Sequence, residues 1–287
     1  MAELELRLPA KLNLFLQVVG RRADGYHLLQ TVFQLIDLCD ELRLGVRADG
    51  ELRLLSGAAG VEPADDLALR AAQALRDATG CAQGADILLH KRIPMGGGLG
   101  GGSSDAAGVL LGLNTLWGCG LGPDALAALG LGLGADVPVF VHGHSAWAEG
   151  VGERLQPLAL GSSSYLVLDS GVQVPTAALF QAPELTRDAP PATIAGFARG
   201  EYRSNVFQPV LLARSPAAGA ALEALGDACA GMALQMGLSG TGGCFFARFE
   251  RATQAEAAQA RLGSGRRSWV VDGLDRSPVF EQLAQAA

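Results

Sequence analysis

The stretch Pro94-Met95-Gly96-Gly97-Gly98-Leu99-Gly100-Gly101-Gly102-Ser103-Ser104-Asp105-Ala106-Ala107 places six glycines within seven positions, directly before an alanine-rich run. Glycine loses more conformational freedom on folding than any other residue, so a cluster of this density requires a reason. The alanine-rich run predicts a helix, and free N–H groups and the positive dipole end at a helix N-terminus attract anions. The stretch therefore predicts a phosphate-binding loop. A purely structural glycine turn is the alternative, although it would need fewer of these residues.

Two common nucleotide loops fit this stretch poorly. The Walker A pattern needs Gly-Lys-Ser/Thr, but Gly102 is followed by Ser103 and the loop contains no lysine. The spacing of Gly96, Gly98 and Gly101 matches the dinucleotide fingerprint, but such a match is weak in a glycine-rich run. The acid that this fingerprint requires about 20 residues later would be Asp124, which stands at a predicted helix start. A P-loop NTPase is excluded, and a nicotinamide-dependent oxidoreductase remains a weakly supported alternative.

The two serines that follow the glycines add a second signal. Ser103 is predicted to cap the helix, and Ser104 lies in its first turn. A hydroxyl at this place can bind a phosphate oxygen or Mg²⁺, which prefers oxygen ligands shared with phosphates. We therefore expect Ser104 to contact Mg²⁺, with capping alone as the alternative. Asp105 suits the helix dipole but would repel a phosphate unless it points away or faces the metal.

Composition restricts the class of protein. The chain has 287 residues, of which 49% are hydrophobic, enough for one large or two ordinary domains. A net charge of −7 without a basic stripe argues against nucleic-acid binding. Five scattered cysteines indicate a reducing compartment and neither a zinc site nor a disulfide framework. The start resembles no signal or transit peptide, and the glycines within uncharged residues 106–123 argue against a membrane span. We expect a cytoplasmic protein.

Periodicity and turn residues predict elements of both types. Strands are expected over 3–8 and 12–19, a strand or buried helix over 28–38, and a hairpin of 41–46 with 51–55 around Asp49-Gly50. Asp65 and Asp66 are predicted to cap a helix over 67–78, and the apolar run 137–141 is predicted to be a strand. Further strands are predicted over 85–90, 165–169, 233–238, 244–249 and 268–271, and helices over 103–117, 123–131, 175–180, 205–213, 217–230, 253–262 and 278–286. A Pro/Gly/Ser-rich stretch around 156–164 divides the chain into predicted domains 1–158 and 159–287.

Lysine is nearly absent from the chain. Lys11 and Lys91 are the only lysines among 22 basic residues, which suggests places where a compact ammonium is needed. Lys11 lies in an apolar strand, and a buried ammonium must be paired. Asp136 is the obvious partner because it stands on a constrained Gly/Ala turn, and Asn13 shares the face of Lys11. The alternatives are an outward-facing lysine on an edge strand and an aspartate that caps backbone N–H groups.

Three segments together resemble the superfamily of galactokinase, homoserine kinase, mevalonate kinase and phosphomevalonate kinase. They are Pro9–Leu16, the glycine loop and Leu238–Phe246, and they occur in the order and spacing of that superfamily. The resemblance implies an α+β fold of two domains, with a small-molecule kinase active site in the cleft between them. A homoserine or mevalonate kinase and a non-catalytic sensor on this fold are the rival interpretations.

Two more segments, Gly20–His27 and Leu133–Phe140, are similar to a branch of this superfamily that acts on a cytidine diphosphate sugar alcohol. That resemblance implies transfer of the γ-phosphoryl group of ATP, with Mg²⁺, to the 2-hydroxyl of a methylerythritol unit. Asp105 and Gly243 stand where Asn and Ala are expected, and neither overturns the resemblance. The resemblance implies a small-molecule substrate and no membrane partner. It leaves open whether the protein is a homodimer.

The resemblance also assigns roles to residues. Asp136 is expected to accept the hydroxyl proton, with Lys11 as its partner. ATP is expected to contact Pro94, Met95, Gly96, Gly97, Gly98, Leu99, Gly100, Gly101, Gly102, Ser103 and Ser104, and on its adenosine side Asp66, Leu67 and Lys91. The substrate is expected to contact Asn13, Tyr26, His27, Thr176, Phe180, Gly240, Thr241 and Gly242. Tyr26 and Phe180 would stack on the two faces of the cytosine ring, and His27 would contact its edge. The alternatives are a solvated His27 and a Phe180 that belongs to the core.

Overall fold

The computed structural model describes residues 3–58 and 60–286. Outside the described residues lie four positions of the predicted domains: Met1, Ala2, Ala59 and Ala287. Its strands are β1 Glu3–Arg21, β2 His27–Arg47, β3 Leu52–Ser56, β4 Gly84–His90, β5 Ala146–Gly150, β6 Arg154–Pro157, β7 Ser164–Asp169, β8 Gln235–Leu238, β9 Cys244–Phe249 and β10 Ser268–Leu274. Its helices are α1 Leu67–Thr79, α2 Gly101–Leu116, α3 Pro123–Leu131, α4 Val137–His142, α5 Thr176–Phe180, α6 Ile194–Ala198, α7 Phe207–Arg214, α8 Pro216–Cys229, α9 Ala252–Leu262 and α10 Val279–Ala286, with a 3₁₀ turn at Pro63–Asp65. The predicted α+β class is confirmed.

A continuous sheet runs through both halves of the chain. Its strand order is β3-β4-β2-β10-β7-β9-β8, with β1 and β5 also paired to β2, and β6 paired to β5. The link between the halves is β10, which pairs with β7 and also places Gly273 and Leu274 opposite Ile36 and Leu35 of β2. The two halves therefore share backbone hydrogen bonds as well as packed side chains.

The first two strands are longer than the sequence predicts. The strands predicted over 3–8 and 12–19 are one strand, β1, with register shifts at Pro9/Ala10, Asn13/Phe15 and Val18/Gly20. Proline lacks the N–H of a regular ladder and is tolerated at a bulge, so Pro9 bends the strand without ending it. Along 3–8 only every second residue is buried, whereas both faces are buried over 8–16. This second part of β1 carries Lys11 and Asn13.

Two local predictions are wrong. The strands over 41–46 and 51–55 form no hairpin, because β4 lies between them and pairs with β3 in parallel and with β2 antiparallel. The apolar run 137–141 is the helix α4, which has Pro138 in its first turn, a favoured position for proline. A short buried apolar run has the same appearance in a strand and in a helix, so its periodicity could not decide.

Each half has its own core. Helices α1 and α2 cover the sheet in the first half, and α7, α8 and α9 cover β7 and β9 in the second. Helix α10 returns to the first core, where Val279 is 3% exposed. The domain boundary at 158/159 stays a prediction. Among residues 3–58 and 60–286, no helix combines the length and the apolar character needed to cross a membrane.

Candidate active site

The glycine loop is the wall between two cavities. The larger cavity has a volume of about 1110 Å³ and the smaller one about 390 Å³. The smaller cavity is lined by the loop from Pro94 to Ser103, and both cavities are lined by Gly96, Gly98, Gly100 and Ser103. Ligands in the two cavities would therefore touch the same few residues, as a group transfer between them requires.

The loop ends where α2 begins. Gly100 is the N-cap with φ 75°, and the first helical hydrogen bond joins the Ser104 N–H to the Gly100 carbonyl at 2.9 Å. The prediction that Ser103 caps this helix is wrong, because the left-handed turn at Gly100 starts the helix earlier. The N–H groups of Gly101, Gly102 and Ser103 precede that first bond, so they have no acceptor within the helix. These donors lie on the smaller cavity.

The two serines lie in different surroundings. Ser104 is 2% exposed, lines neither cavity, and donates its hydroxyl hydrogen to the Pro9 carbonyl at 2.7 Å. The Ser104 hydroxyl holds α2 against β1, so the expected Mg²⁺ contact of Ser104 stays a prediction that would require this hydrogen bond to break. Ser103 lines both cavities and is the serine that a phosphate could reach.

Lys11 and Asp136 meet in the larger cavity. The Lys11 Nζ lies 3.2 Å from the Asp136 Oδ2, and the lysine side chain is 4% exposed while the aspartate side chain is 33% exposed. Lys11 also donates to the Asn13 Oδ1 at 2.6 Å and to the Gly98 carbonyl at 2.9 Å. Lys11 is thus a buried, fully bonded ammonium and not an outward-facing one. Asp136 is the N-cap of α4 but makes no capping hydrogen bond with its side chain, so capping does not explain this carboxylate.

The second glycine turn, Ser239–Gly243, packs backbone to backbone against the glycine loop. A Cβ on Gly98, where φ is 76°, would lie 2.1 Å from the Ser239 carbonyl oxygen. A Cβ on Gly242 would lie 2.1 Å from the Gly98 nitrogen. Neither position has room for a side chain, so part of the glycine cluster serves this contact between two turns. The structural interpretation of the glycines is partly right beside the phosphate interpretation.

Ser239 joins this contact to the lysine, and sequence reasoning missed it. Its hydroxyl is fully buried, donates to the Gly98 carbonyl at 3.0 Å and accepts from the Asn13 N–H at 3.3 Å. The Gly98 carbonyl therefore accepts hydrogen bonds from both Ser239 and Lys11. The available signal in the sequence was a serine directly before a glycine, and in the structure Gly240 has a φ of 57°.

Aromatic residues line the far side of the larger cavity. His27 and Phe180 are stacked with ring centroids 4.9 Å apart, and Phe180 also meets the edge of Phe207. Tyr26 is 65% exposed. In this structure His27 covers the Phe180 ring, so the expected sandwich of Tyr26 and Phe180 stays a proposal. Burial, together with the positive charges of Arg21 and Arg187, lowers the pKa of His27.

The remaining expected substrate contacts also lie in the larger cavity. It is lined by Asn13, Thr176, Gly240, Thr241 and Gly242. The hydroxyls of Thr176 and Thr241 are hydrogen-bonded at 2.8 Å, which joins the start of α5 to the second glycine turn. The structure therefore brings together every residue that was assigned to the substrate.

The smaller cavity holds the residues expected on the adenosine side, but two of them have structural partners. Lys91 is ion-paired to both Asp40 and Asp105. Asp66 caps α1 by accepting from the Ala68 N–H at 2.9 Å, as predicted. With Leu67, these residues line the cavity, although the Lys91 ammonium and the Asp66 carboxylate are already engaged.

The Asp40–Lys91–Asp105 cluster was not foreseen. Asp40 also accepts from the N–H groups of Arg92 and Ile93, whereas the Asp105 Oδ1 has no hydrogen-bond partner within the described residues. Burial, with the nearby Asp40 charge, raises the pKa of Asp105 to about 7 against the opposing effect of Lys91. Residue type did not single out Asp40, because Asp37 lies in the same strand and is exposed.

Comparisons with known proteins agree with this architecture. Two family models match, "GHMP kinases N terminal domain" over residues 66–144 and "GHMP kinases C terminal" over residues 191–265. A 4-diphosphocytidyl-2-C-methyl-D-erythritol kinase of Xanthomonas axonopodis pv. citri (strain 306) is 55% identical, covering 95% of this chain and 91% of the relative.

Solved structures give the same result. A crystal structure of 4-(cytidine 5'-diphospho)-2C-methyl-D-erythritol kinase superposes with a TM-score of 0.79 at 38% identity, covering 94% of this chain and 98% of that one. The Methanococcus jannaschii mevalonate kinase, at 15% identity and a TM-score of 0.66 over 95% of this chain and 99% of that one, shows the shared fold alone. With identity above one half over nearly the whole length, the chain belongs to the 4-diphosphocytidyl-2-C-methyl-D-erythritol kinase family of the GHMP kinases.

Proposed function

We propose that this protein transfers the γ-phosphoryl group of ATP to the 2-hydroxyl of 4-diphosphocytidyl-2-C-methyl-D-erythritol, a step of non-mevalonate isoprenoid precursor biosynthesis. The observation that best supports the proposal is that one glycine loop lines both cavities. Lys11 and Asp136 lie on the side of the larger cavity. The names of the relatives support this substrate.

ATP occupies the smaller cavity in this proposal. The N–H groups at the start of α2 and the positive end of the helix dipole face the triphosphate, while Leu67 lies on the adenosine side. The loop contributes backbone donors and no charged side chain. Lys91 lines the smaller cavity but is already ion-paired to two aspartates, so the cation that we assign to the transferred group is Lys11. This arrangement suits phosphoryl transfer, which depends mainly on positioning and charge stabilisation.

Asp136 accepts the proton of the acceptor hydroxyl. As the hydroxyl oxygen bonds to the γ-phosphorus, the bond from that phosphorus to the β–γ bridging oxygen breaks, ADP leaves, and the hydroxyl proton passes to the Asp136 carboxylate. Lys11 holds this carboxylate in place and offsets negative charge that develops on the phosphoryl oxygens. General base catalysis of this kind contributes about 10²–10⁴-fold to rate.

Mg²⁺ enters the site with ATP. Within residues 3–58 and 60–286 there is no cluster of three or more His, Cys, Asp or Glu that could hold a metal ion. The donor set of the loop is backbone N–H groups, so phosphate oxygens would supply ligands to the ion, and the half-buried Asp136 carboxylate would lie across the loop in the larger cavity. The ion neutralises phosphate charge when bound.

The cytidine end of the substrate lies among Tyr26, His27 and Phe180. Flat aromatic rings suit stacking against a base, and the buried His27 Nε2, which has no partner within the described residues, supplies a hydrogen-bonding group for its edge. Asn13 lies beside Lys11 and can position the methylerythritol hydroxyl. Thr176 and the turn Gly240–Gly242 lie where the substrate phosphates would pass.

We place this reaction in the cytoplasm, where the five free cysteines would stay reduced, and without a nucleic-acid partner, given the net charge of −7. A homodimer is not required by the site, because both cavities are lined within one chain.

The test is a coupled ADP-release assay with ATP, Mg²⁺ and 4-diphosphocytidyl-2-C-methyl-D-erythritol, with the product identified by mass and by phosphorus NMR. We expect one phosphate added at the 2-hydroxyl. Homoserine and mevalonate serve as rival acceptors, and cytidine nucleotides should compete only with the cytidine substrate. A folded protein that turns over mevalonate or homoserine instead, or none of the three, would overturn the proposal.

A further inference from the structure

Two of the five cysteines lie together on the surface of the first half. Cys81 follows α1 and Cys119 follows α2, and both residues lie beside the side chain of Thr79, the last residue of α1. Both approach the hydroxyl oxygen of Thr79, which accepts from the Cys119 Sγ at 3.8 Å and from the Cys81 N–H at 3.4 Å. This proximity could not be predicted, because the two residues stand in different turns that are far apart in the sequence.

The backbone holds both thiols in place. Gly80 ends α1 in the left-handed conformation with φ 68°, directly before Cys81. Cys119 stands between Gly118 and Gly120, which have φ values of 65° and 69°. Cys81 and Cys119 are partly exposed, whereas the other three cysteines, Cys39, Cys229 and Cys244, are buried. Among the five thiols, this pair is the one that a reagent in solution can reach without unfolding.

We propose that Cys81 and Cys119 form a reactive dithiol, a modification site that a small-molecule disulfide such as oxidised glutathione converts into an intramolecular disulfide. The site lies outside both cavities, so it stands independently of the proposed reaction. The pair lies at the ends of α1 and α2 that are remote from the smaller cavity. The disulfide would therefore tie together the two helices whose N-terminal ends line that cavity.

The exchange proceeds in two balanced steps. The Cys81 thiolate attacks one sulfur of the small disulfide, whose S–S bond breaks; half of it leaves as a thiolate and half stays on Cys81. The Cys119 thiolate then attacks the Cys81 sulfur, the Sγ–Sγ bond forms, and the second half leaves as a thiolate. The two cysteines lose two electrons and two protons, and the small disulfide is reduced to two thiols.

The order of attack follows from the surroundings of the thiols. The Cys119 thiol donates its hydrogen to the Thr79 hydroxyl oxygen, and burial raises its pKa against the opposing effect of that bond. A thiol with a raised pKa has less thiolate at neutral pH and is the poorer first nucleophile. Cys119 is therefore the resolving thiol, whose attack is aided by its position against Cys81.

The experiment treats the folded protein with oxidised glutathione, blocks remaining thiols with iodoacetamide, and maps the tryptic peptides by mass. Trypsin leaves Cys81 on peptide 77–91 and Cys119 on peptide 93–154, with each peptide containing no other cysteine. We expect a linked pair of these two peptides, two hydrogen atoms lighter than their sum, while Cys39, Cys229 and Cys244 are recovered as thiols. Dithiothreitol should remove the link.

Two variants make the result specific. In Cys119→Ser the linked pair should vanish and Cys81 should carry glutathione; in Cys81→Ser the link should vanish as well. Oxidation should raise the thermal midpoint of the wild type and leave that of Cys119→Ser unchanged, because the link restrains only the unfolded wild-type chain. Absence of the linked pair from folded wild type, or pairing with any other cysteine, would overturn the proposal.

Discussion

Lys11 and Asp136 form an ion pair of 3.2 Å although they come from β1 and from the start of α4, far apart in the sequence. The same ammonium donates to the Gly98 carbonyl at 2.9 Å. Strand β1 therefore supplies the lysine that the glycine loop lacks, and the lysine ammonium is hydrogen-bonded to the loop. The phosphate loop and the proposed base are held in one hydrogen-bonded unit.

The contact between the two glycine turns predicts a strong effect of Gly98→Ala. At this position a Cβ would lie 2.1 Å from a backbone oxygen, and φ is in the left-handed region. We expect a loss of at least about 2 kcal/mol in the free energy of unfolding, from strain and overpacking together. Urea unfolding of the variant and the wild type measures this loss in the free energy of unfolding.

Gly102→Ala is the matched control for that measurement. A Cβ on Gly102 meets only the Leu67 side chain, at an ordinary 3.4 Å, and the residue lies within a helix. Its free energy of unfolding should stay within about 0.5 kcal/mol of the wild type or increase. Equal destabilisation by both substitutions would show that packing of the two turns is not the reason for the glycine at 98.

Asp105 predicts a pH dependence of stability. Its pKa is raised to about 7 in the folded chain, so between its ordinary value and about 7 the folded chain holds a proton that the unfolded chain has released. The stability from this proton is present at low pH and is lost as the pH rises through about 7. Asp105→Asn keeps a neutral side chain, so its stability relative to the wild type should increase between about pH 5 and about pH 8.

Thermal unfolding across that pH range checks this prediction. Asp227→Asn, in which an exposed aspartate of α8 is replaced, controls for the loss of a carboxylate as such. Wild type and Asp105→Asn with parallel pH profiles would mean that Asp105 is ionised throughout the range and that the cluster with Lys91 does not hold a proton.

His27 predicts a selective effect on the cytidine substrate. His27→Ala removes both the ring stacked on Phe180 and an Nε2 that has no hydrogen-bond partner among the residues the structure describes. We therefore expect the KM for the cytidine substrate to rise about tenfold while the KM for ATP is unchanged. Steady-state kinetics with each substrate varied in turn measures both constants. His90→Ala, an exposed histidine at the end of β4, is the control and should change neither.

Features that depend on a short stretch of sequence could be predicted. The glycine loop before a helix and the cap by Asp66 are both present in the structure. The pairing of Lys11 with Asp136 joins distant parts of the chain and is present as well. The lysine pairing was predictable because a charge in an apolar strand demands a partner, and few candidates existed.

Other contacts between residues distant in the sequence could not be predicted. Strand β4 separates β3 from β2, and a turn motif such as Asp49-Gly50 carries no information about a strand that arrives later. The close approach of Gly98 to Gly242 and the meeting of Cys81 with Cys119 also arise only when distant turns pack together. In each case the residue type was visible, and its partner was not.

In the proposed reaction Asp136 accepts the substrate proton beside Lys11. The most direct test of this step is the kcat of Asp136→Asn in the ADP-release assay, with the ATP dissociation constant and the thermal midpoint measured on the same sample. We predict that kcat falls by about 10²–10⁴-fold while ATP binding stays near its wild-type value. The thermal midpoint falls, because the buried Lys11 ammonium loses its charged partner, but it stays above the assay temperature. A folded Asp136→Asn that retains wild-type turnover would contradict the account.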